Sequence, residues 1–190
     1  MSNAIKYCLG IAVLLLAAGQ AAALEFNRTQ TGESTVTFGY KQMGVPLDGS
    51  FGKFAAQVVF DPARLAQAQA RIDIDILSID TGLKEANEEV VGKPWFNAAA
   101  FPTASFVSTG LKALGGERYQ ATGRLSIKGR TQDVTIPVTF KSSGERGVFE
   151  GTFGIKRLDY AIGEGIWSDV DTVADEIQIR FHIVVLAAKK

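Results

Sequence analysis

The chain has 190 residues, 20 of them basic and 20 acidic, with 46% hydrophobic residues, which suits one domain with a sizeable core. The balanced charge argues against nucleic acid or an anionic membrane surface as the main partner. One cysteine and one histidine leave little room for a disulfide framework, thiol chemistry or a metal cluster.

The first 23 residues read as a secretory signal peptide. Lys6 is their only charge, Cys8 to Ala18 is an apolar run too short to span a bilayer comfortably, and Ala21-Ala22-Ala23 offers a small-residue cleavage site. Cleavage there removes Cys8 and leaves one domain, residues 24–190, whose stability rests on core burial. The chain is therefore expected to be exported.

From Ser34 the apolar residues alternate, as they do in strands with one buried face. Val36, Phe38 and Tyr40 form the first such set. Met43 to Gly49 is rich in breakers and reads as a turn. Phe54, Ala56, Val58 and Phe60 follow, and then Ile72, Ile74 and Ile76. The apolar parity switches at Leu77 and Ile79, which predicts a bulge or an end to sheet pairing.

Gly82 to Phe106 breaks the β pattern. Leu83, Ala86, Val90 and Val91 fall at helical spacing, with Thr81 as a candidate N-cap and Gly92 and Pro94 as the stop. The aromatics Trp95, Phe96 and Phe101 come next, in a segment too irregular for helix or strand. A short helix and aromatic loop inside an all-β chain are expected to cover a barrel end.

Thr103 to Leu114 is a further strand whose register stays open. Tyr119, Ala121, Gly123, Leu125 and Ile127 then face one way, and a turn at Lys128-Gly129-Arg130 leads to Val134, Ile136, Val138 and Phe140. Pro137 cannot donate a ladder hydrogen bond, so it belongs at a sheet edge or bulge. Phe149, Gly151, Phe153 and Ile155 form the seventh set. A loop carrying Tyr160 and Trp167 precedes the last, Ile177 to Val185. Eight strands joined mostly by short turns predict an all-β, eight-stranded antiparallel barrel, with a two-sheet sandwich as the alternative.

Catalytic signals are weak. His182 falls on the polar face of the last strand, and Asp73 and Asp75 fit an ordinary wet exterior. The interior says more. The small inward residues Ala121, Gly123 and Gly151 sit among Tyr119, Phe149 and Phe153, which would leave space walled by rings. Alternatively, these glycines let the sheet coil while a neighbouring Phe or Leu fills the gap.

The chain resembles the YceI-like family of exported, lipocalin-like lipid-binding proteins. The resemblance is carried by Met43 to Gly49 with Phe51, Phe60-Asp61-Pro62, Ser78 to Gly82, Trp95-Phe96-Asn97 with Phe101-Pro102 and Phe106, Gly123 to Gly129, and Val134 to Val138. It implies a lipocalin-like barrel around an apolar pocket for a long-chain isoprenoid, either a polyprenyl compound or an isoprenoid quinone, held for transport or sequestration without a cofactor. Phe38, Tyr40, Phe51, Tyr119 and Phe153 would line the tube, and Gly123 and Gly151 would widen it. Trp95, Phe96 and Phe101 would form its rim, with Phe106 and Trp167 as further ligand contacts. Arg157 to Tyr160, through Gly163 and Trp167, looks closest to relatives paired with cytochrome b561-type membrane proteins, and a homodimer is a further expectation. The rival readings are an enzyme acting on an isoprenoid or its head group, using Asp159 or Tyr160 near the mouth, and a solid structural barrel.

Overall fold

The computed structural model describes residues 24–189, so the expected signal peptide lies outside the described residues. Eleven strands appear rather than eight, in one curled antiparallel sheet. They are β1 (Phe26–Thr29), β2 (Thr35–Gln42), β3 (Val45–Phe51), β4 (Phe54–Val59), β5 (Gln69–Asp75) and β6 (Ile79–Asp80), then β7 (Thr103–Gly115), β8 (Arg118–Ile127), β9 (Arg130–Ser143), β10 (Arg146–Lys156) and β11 (Glu176–Ala187). The order is β4-β5-β7-β8-β9-β10-β11-β2-β3-β6, with β1 on the far end of β11. The fold is the expected all-β, lipocalin-like barrel with one short helix.

The three unexpected strands have two causes. β1 and β6 have four and two residues, too few to show a period. β3 was hidden by its breakers. Only Met43 and Gly44 form the turn, both with positive φ, the geometry of a tight two-residue hairpin. Pro46 is tolerated because that part of β3 pairs only with β2. Gly49 is required because a Cβ there would overlap the ring of Phe38, its partner on β2.

The two ends of the barrel are built differently. At one end β1 pairs with the end of β11, and Phe26 exchanges two backbone hydrogen bonds with Phe60, of 2.8 and 2.9 Å, which ties β11 to the end of β4. Beneath this seam Phe60 packs against Phe140 (4.6 Å between centroids), Phe149 (5.1 Å) and Tyr119 (5.5 Å). At the other end strand pairing gives out. β9 and β10 stay paired only as far as Val138–Gly151, and Pro137, next along the chain, has no N–H to carry the ladder on. Two irregular segments, residues 76–102 and 157–175, cover that end instead.

The first covering segment starts with a single 3-10 turn at Ile76–Ser78, where the apolar parity switches, and carries helix α1 (Lys84–Val90). Thr81 is not its N-cap; Leu83 holds that position without a side-chain cap. Gly82, at φ 83°, turns the chain, and Thr81 instead donates from its N–H and hydroxyl to Asn87 Oδ1, each at 2.7 Å. The second segment is tied to the first through Pro94, whose carbonyl accepts from the N–H groups of Gly163 and Glu164 at 2.9 and 2.8 Å.

Candidate functional site: an apolar cavity with one polar end

The barrel is hollow. Along β11, Ile183, Val185 and Ala187 are buried at the sealed end, whereas Ile177, Ile179 and Phe181 are only partly covered although they point inward. A compartment of about 170 Å³ lies near Phe60, Phe149 and Leu111, and a larger one of about 450 Å³ lies beneath the covering segments. Both are walled by Val36, Ile74, Ala104, Leu125, Phe153 and Ile179, so they meet at a shared waist.

The smaller compartment carries no ionisable side chain. The larger one gathers Tyr40, Gln42, Thr81, Glu85, Glu89 and Arg157 at its far end. Helix α1 positions the two glutamates, four residues apart and hence one turn apart on one face, with Ala86 and Val90 also over the cavity. β2 places Tyr40 and Gln42 by its two-residue period, with Lys41 exposed on the other face. Burial pushes the Tyr40 hydroxyl above its ordinary pKa.

Arg157 holds this end together. Its side chain is 1% exposed and forms no ion pair among the described residues. Its guanidinium donates instead to five backbone carbonyls: Ile162 (2.8 Å), Gly163 (3.2 Å), Trp167 (2.7 Å), Val173 (2.7 Å) and Ala174 (3.2 Å). Carbonyls at the start, middle and end of the 161–174 segment are therefore gathered onto one side chain. Burial lowers the Arg157 pKa, and the nearby Asp175 charge opposes that. Arg157 also lies 5.6 Å from the ring centroid of Trp95, which packs at 5.4 Å against Trp167. Trp167 in turn donates its indole N–H to Glu89 Oε1 at 3.0 Å, joining the second segment to α1. The indole N–H of Trp95 is buried with no partner among the described residues.

Of the residues expected to meet a ligand, Phe38, Tyr40, Phe51, Trp95, Phe96 and Trp167 border the large compartment, Phe106 the small one and Phe153 both. Four belong elsewhere. Tyr119 stands edge-on to Phe60 in the sealed end, and Phe101 lies over the Gly129 turn. Gly123 and Gly151 do not face the cavity, because the rings of Phe106 and Phe181 cover them. A Cβ at either would overlap a ring and come within 2.6 Å of the carbonyl oxygen of Val107 or Pro137. These glycines let neighbouring phenyl rings lie flat on the wall, which is the coiled-sheet alternative.

Sequence reasoning missed Arg157 as a site residue, because nothing in its neighbourhood marks one arginine for burial. It also passed over the isoleucines 74, 76, 177 and 179, although their alternation had already turned them inward. The enzyme candidates do not stand at the cavity: Tyr160 is 2% exposed, packed in the core with its pKa pushed up to about 12 by burial, and Asp159 is exposed. His182 lies on the outer face, 3.0 Å from Glu150.

Fold and site together define a small antiparallel barrel whose interior is an apolar chamber with polar groups at one end. The chain belongs to the YceI-like family, whose domain it matches over residues 28–185. It is 30% identical to a UPF0312 protein of Azotobacter vinelandii over 183 residues, covering 92% of this chain and 93% of that one. It is 29% identical to a UPF0312 protein of Yersinia pestis over 191 residues, covering 96% and 97%. Among solved structures it is similar to BcnA of Burkholderia cenocepacia, with a TM-score of 0.80, 46% identity, and 82% and 98% of the two chains covered. A polyisoprenoid binding domain of Saccharophagus degradans shares the fold at 17% identity, with a TM-score of 0.64 over 87% and 99% of the chains.

Proposed function

We propose that the protein binds a long-chain isoprenoid lipid, a polyprenyl compound or an isoprenoid quinone, and carries or sequesters it without catalysing a reaction. The observation that carries this reading is the two-compartment apolar chamber, walled by hydrocarbon side chains along its length with polar groups at one end only. Each buried methylene contributes ~0.8 kcal/mol, so a few prenyl units supply most of the affinity without a polar contact. The family membership and the fold shared with a polyisoprenoid binding domain support the choice of lipid. The hollow interior weighs against the solid-barrel reading.

The proposal places this activity in the periplasm, reached through the N-terminal signal sequence. It extends to exchange of the lipid with a membrane protein of the cytochrome b561 type and to a homodimeric assembly. The test is to purify the protein from its native host, extract it with organic solvent and identify the extract by mass spectrometry. A stoichiometric isoprenoid is expected, and its absence overturns the carrier reading.

A further inference from the structure

The ends of the chamber differ in charge as well as polarity. At the far end of the large compartment the ionised side chains are Glu85, Glu89 and Arg157. The cation is spoken for, because the Arg157 guanidinium points its donors at five backbone carbonyls. The nearby Lys128 ammonium is likewise engaged, donating to Ala161 O at 2.6 Å and to Glu164 at 2.8 Å. On α1 itself, Lys84 lies 3.8 Å from Glu88. What remains to meet a ligand is uncharged or negative: the Tyr40 hydroxyl, the Gln42 amide, the Glu85 carboxylate and the Glu89 carboxylate oxygen that does not accept from Trp167.

We infer that this end selects isoprenoids with an uncharged head group and rejects their phosphate and pyrophosphate esters. The inference rests on the isoprenoid-binding reading above and names the head-group class for the same site. Orientation follows from polarity: the tail enters the compartment without ionisable groups and the head stays beside α1. There a hydroxyl or carbonyl finds the donors of Tyr40 and Gln42, and a hydroxyl also finds carboxylate acceptors. Glu85 and Glu89 are exposed at the edge of the compartment, so a phosphate placed there would face two ionised carboxylates with no free cation, and that repulsion opposes binding most at low salt.

The test compares geranylgeraniol with geranylgeranyl monophosphate, two probes with one tail, titrated into the delipidated protein at low salt and followed by tryptophan fluorescence. The alcohol is expected to bind at least tenfold tighter, with the ratio shrinking as salt is added. The Glu85→Gln, Glu89→Gln double variant is expected to raise affinity for the phosphate and narrow the ratio, while the amide oxygen introduced at position 89 still accepts from Trp167. Equal binding of the two probes, or a ratio the double variant leaves unmoved, overturns the head-group inference and leaves the isoprenoid reading standing. Failure of both probes to bind overturns both.

Discussion

The two ends of this barrel carry similar side chains and use them in opposite ways. At the sealed end Phe26, Phe60, Phe140, Phe149 and Tyr119 meet ring against ring, and a two-residue exchange of backbone hydrogen bonds closes the sheet above them. At the covered end Trp95, Trp167, Phe38, Phe51 and Phe96 surround about 450 Å³ of space. The difference lies in what carries the rings. Strands paired on both sides converge at the sealed end, so the rings must interdigitate. The irregular segments at the other end are propped by Arg157 and Lys128, which hold backbone in place without filling the volume beneath. Stability is thus concentrated at one end, and room for a ligand at the other.

The sharpest way to break this contrast is to truncate one ring from each end. Phe140→Ala should cost about 4 kcal/mol, because that ring packs against Phe26, Phe60 and Phe149, borders neither compartment, and leaves a hole its neighbours cannot fill. Phe153→Ala, at the cavity waist, should cost at least ~1 kcal/mol less, because it enlarges a space that already exists. Urea titrations of the two variants measure the gap, and equal losses would mean that the chamber is as tightly packed as the plug.

Arg157→Met comes next. It leaves five carbonyl oxygens without their donor and should cost roughly 3 kcal/mol. Its signature is local: hydrogen exchange should accelerate across residues 161–174 and not at Phe60 or Val185. Uniform acceleration would show that Arg157 supports the whole barrel.

A smaller effect is expected from acid. The Lys128 hydrogen bond, reinforced by the Lys128 charge, holds the Glu164 carboxyl below its ordinary value of 4.5. A depressed carboxylate contributes stability that is fully present above 4.5 and is lost as pH falls through the lower folded value. The wild type should therefore lose more stability than Glu164→Gln between about pH 6 and about pH 3, read from thermal midpoints. Parallel curves would mean that the pair does not anchor the covering segment.

The smallest change is Trp167→Phe. It removes the indole N–H donated to Glu89 together with part of the ring area that packs on Trp95, and should cost about 1 kcal/mol. Lipid exchange should nevertheless quicken, because that bond joins the two covering segments over the mouth. An unchanged release rate in stopped-flow displacement would place the ligand's exit elsewhere.

How much of this was legible follows from the period of each signal. Alternation at Tyr119 to Ile127 or Ile177 to Val185 states which residues turn inward, because a two-residue repeat leaves a side chain only two faces. The helix after Gly82 was equally readable from its apolar spacing and its stop at Gly92 and Pro94. β3 was not, since Pro46 and Gly49 look like breakers until an unpaired strand edge and a phenyl ring across the sheet explain them. The site was half legible. The tryptophans announced themselves by falling outside the strands, whereas Gly123 and Gly151 were misplaced because the ring that covers a glycine comes from a different strand.

The sequence by itself determined the class of the molecule, an all-β barrel with one helical interruption, through local periodicity and turn chemistry. Only the tertiary structure decided that the barrel is hollow, which end is open, and that a buried arginine gathers the cover over it. Inward-facing side chains are a property of each strand. Whether they meet in the middle depends on how far apart closure of the sheet holds the walls, and that distance is set by all the strands together.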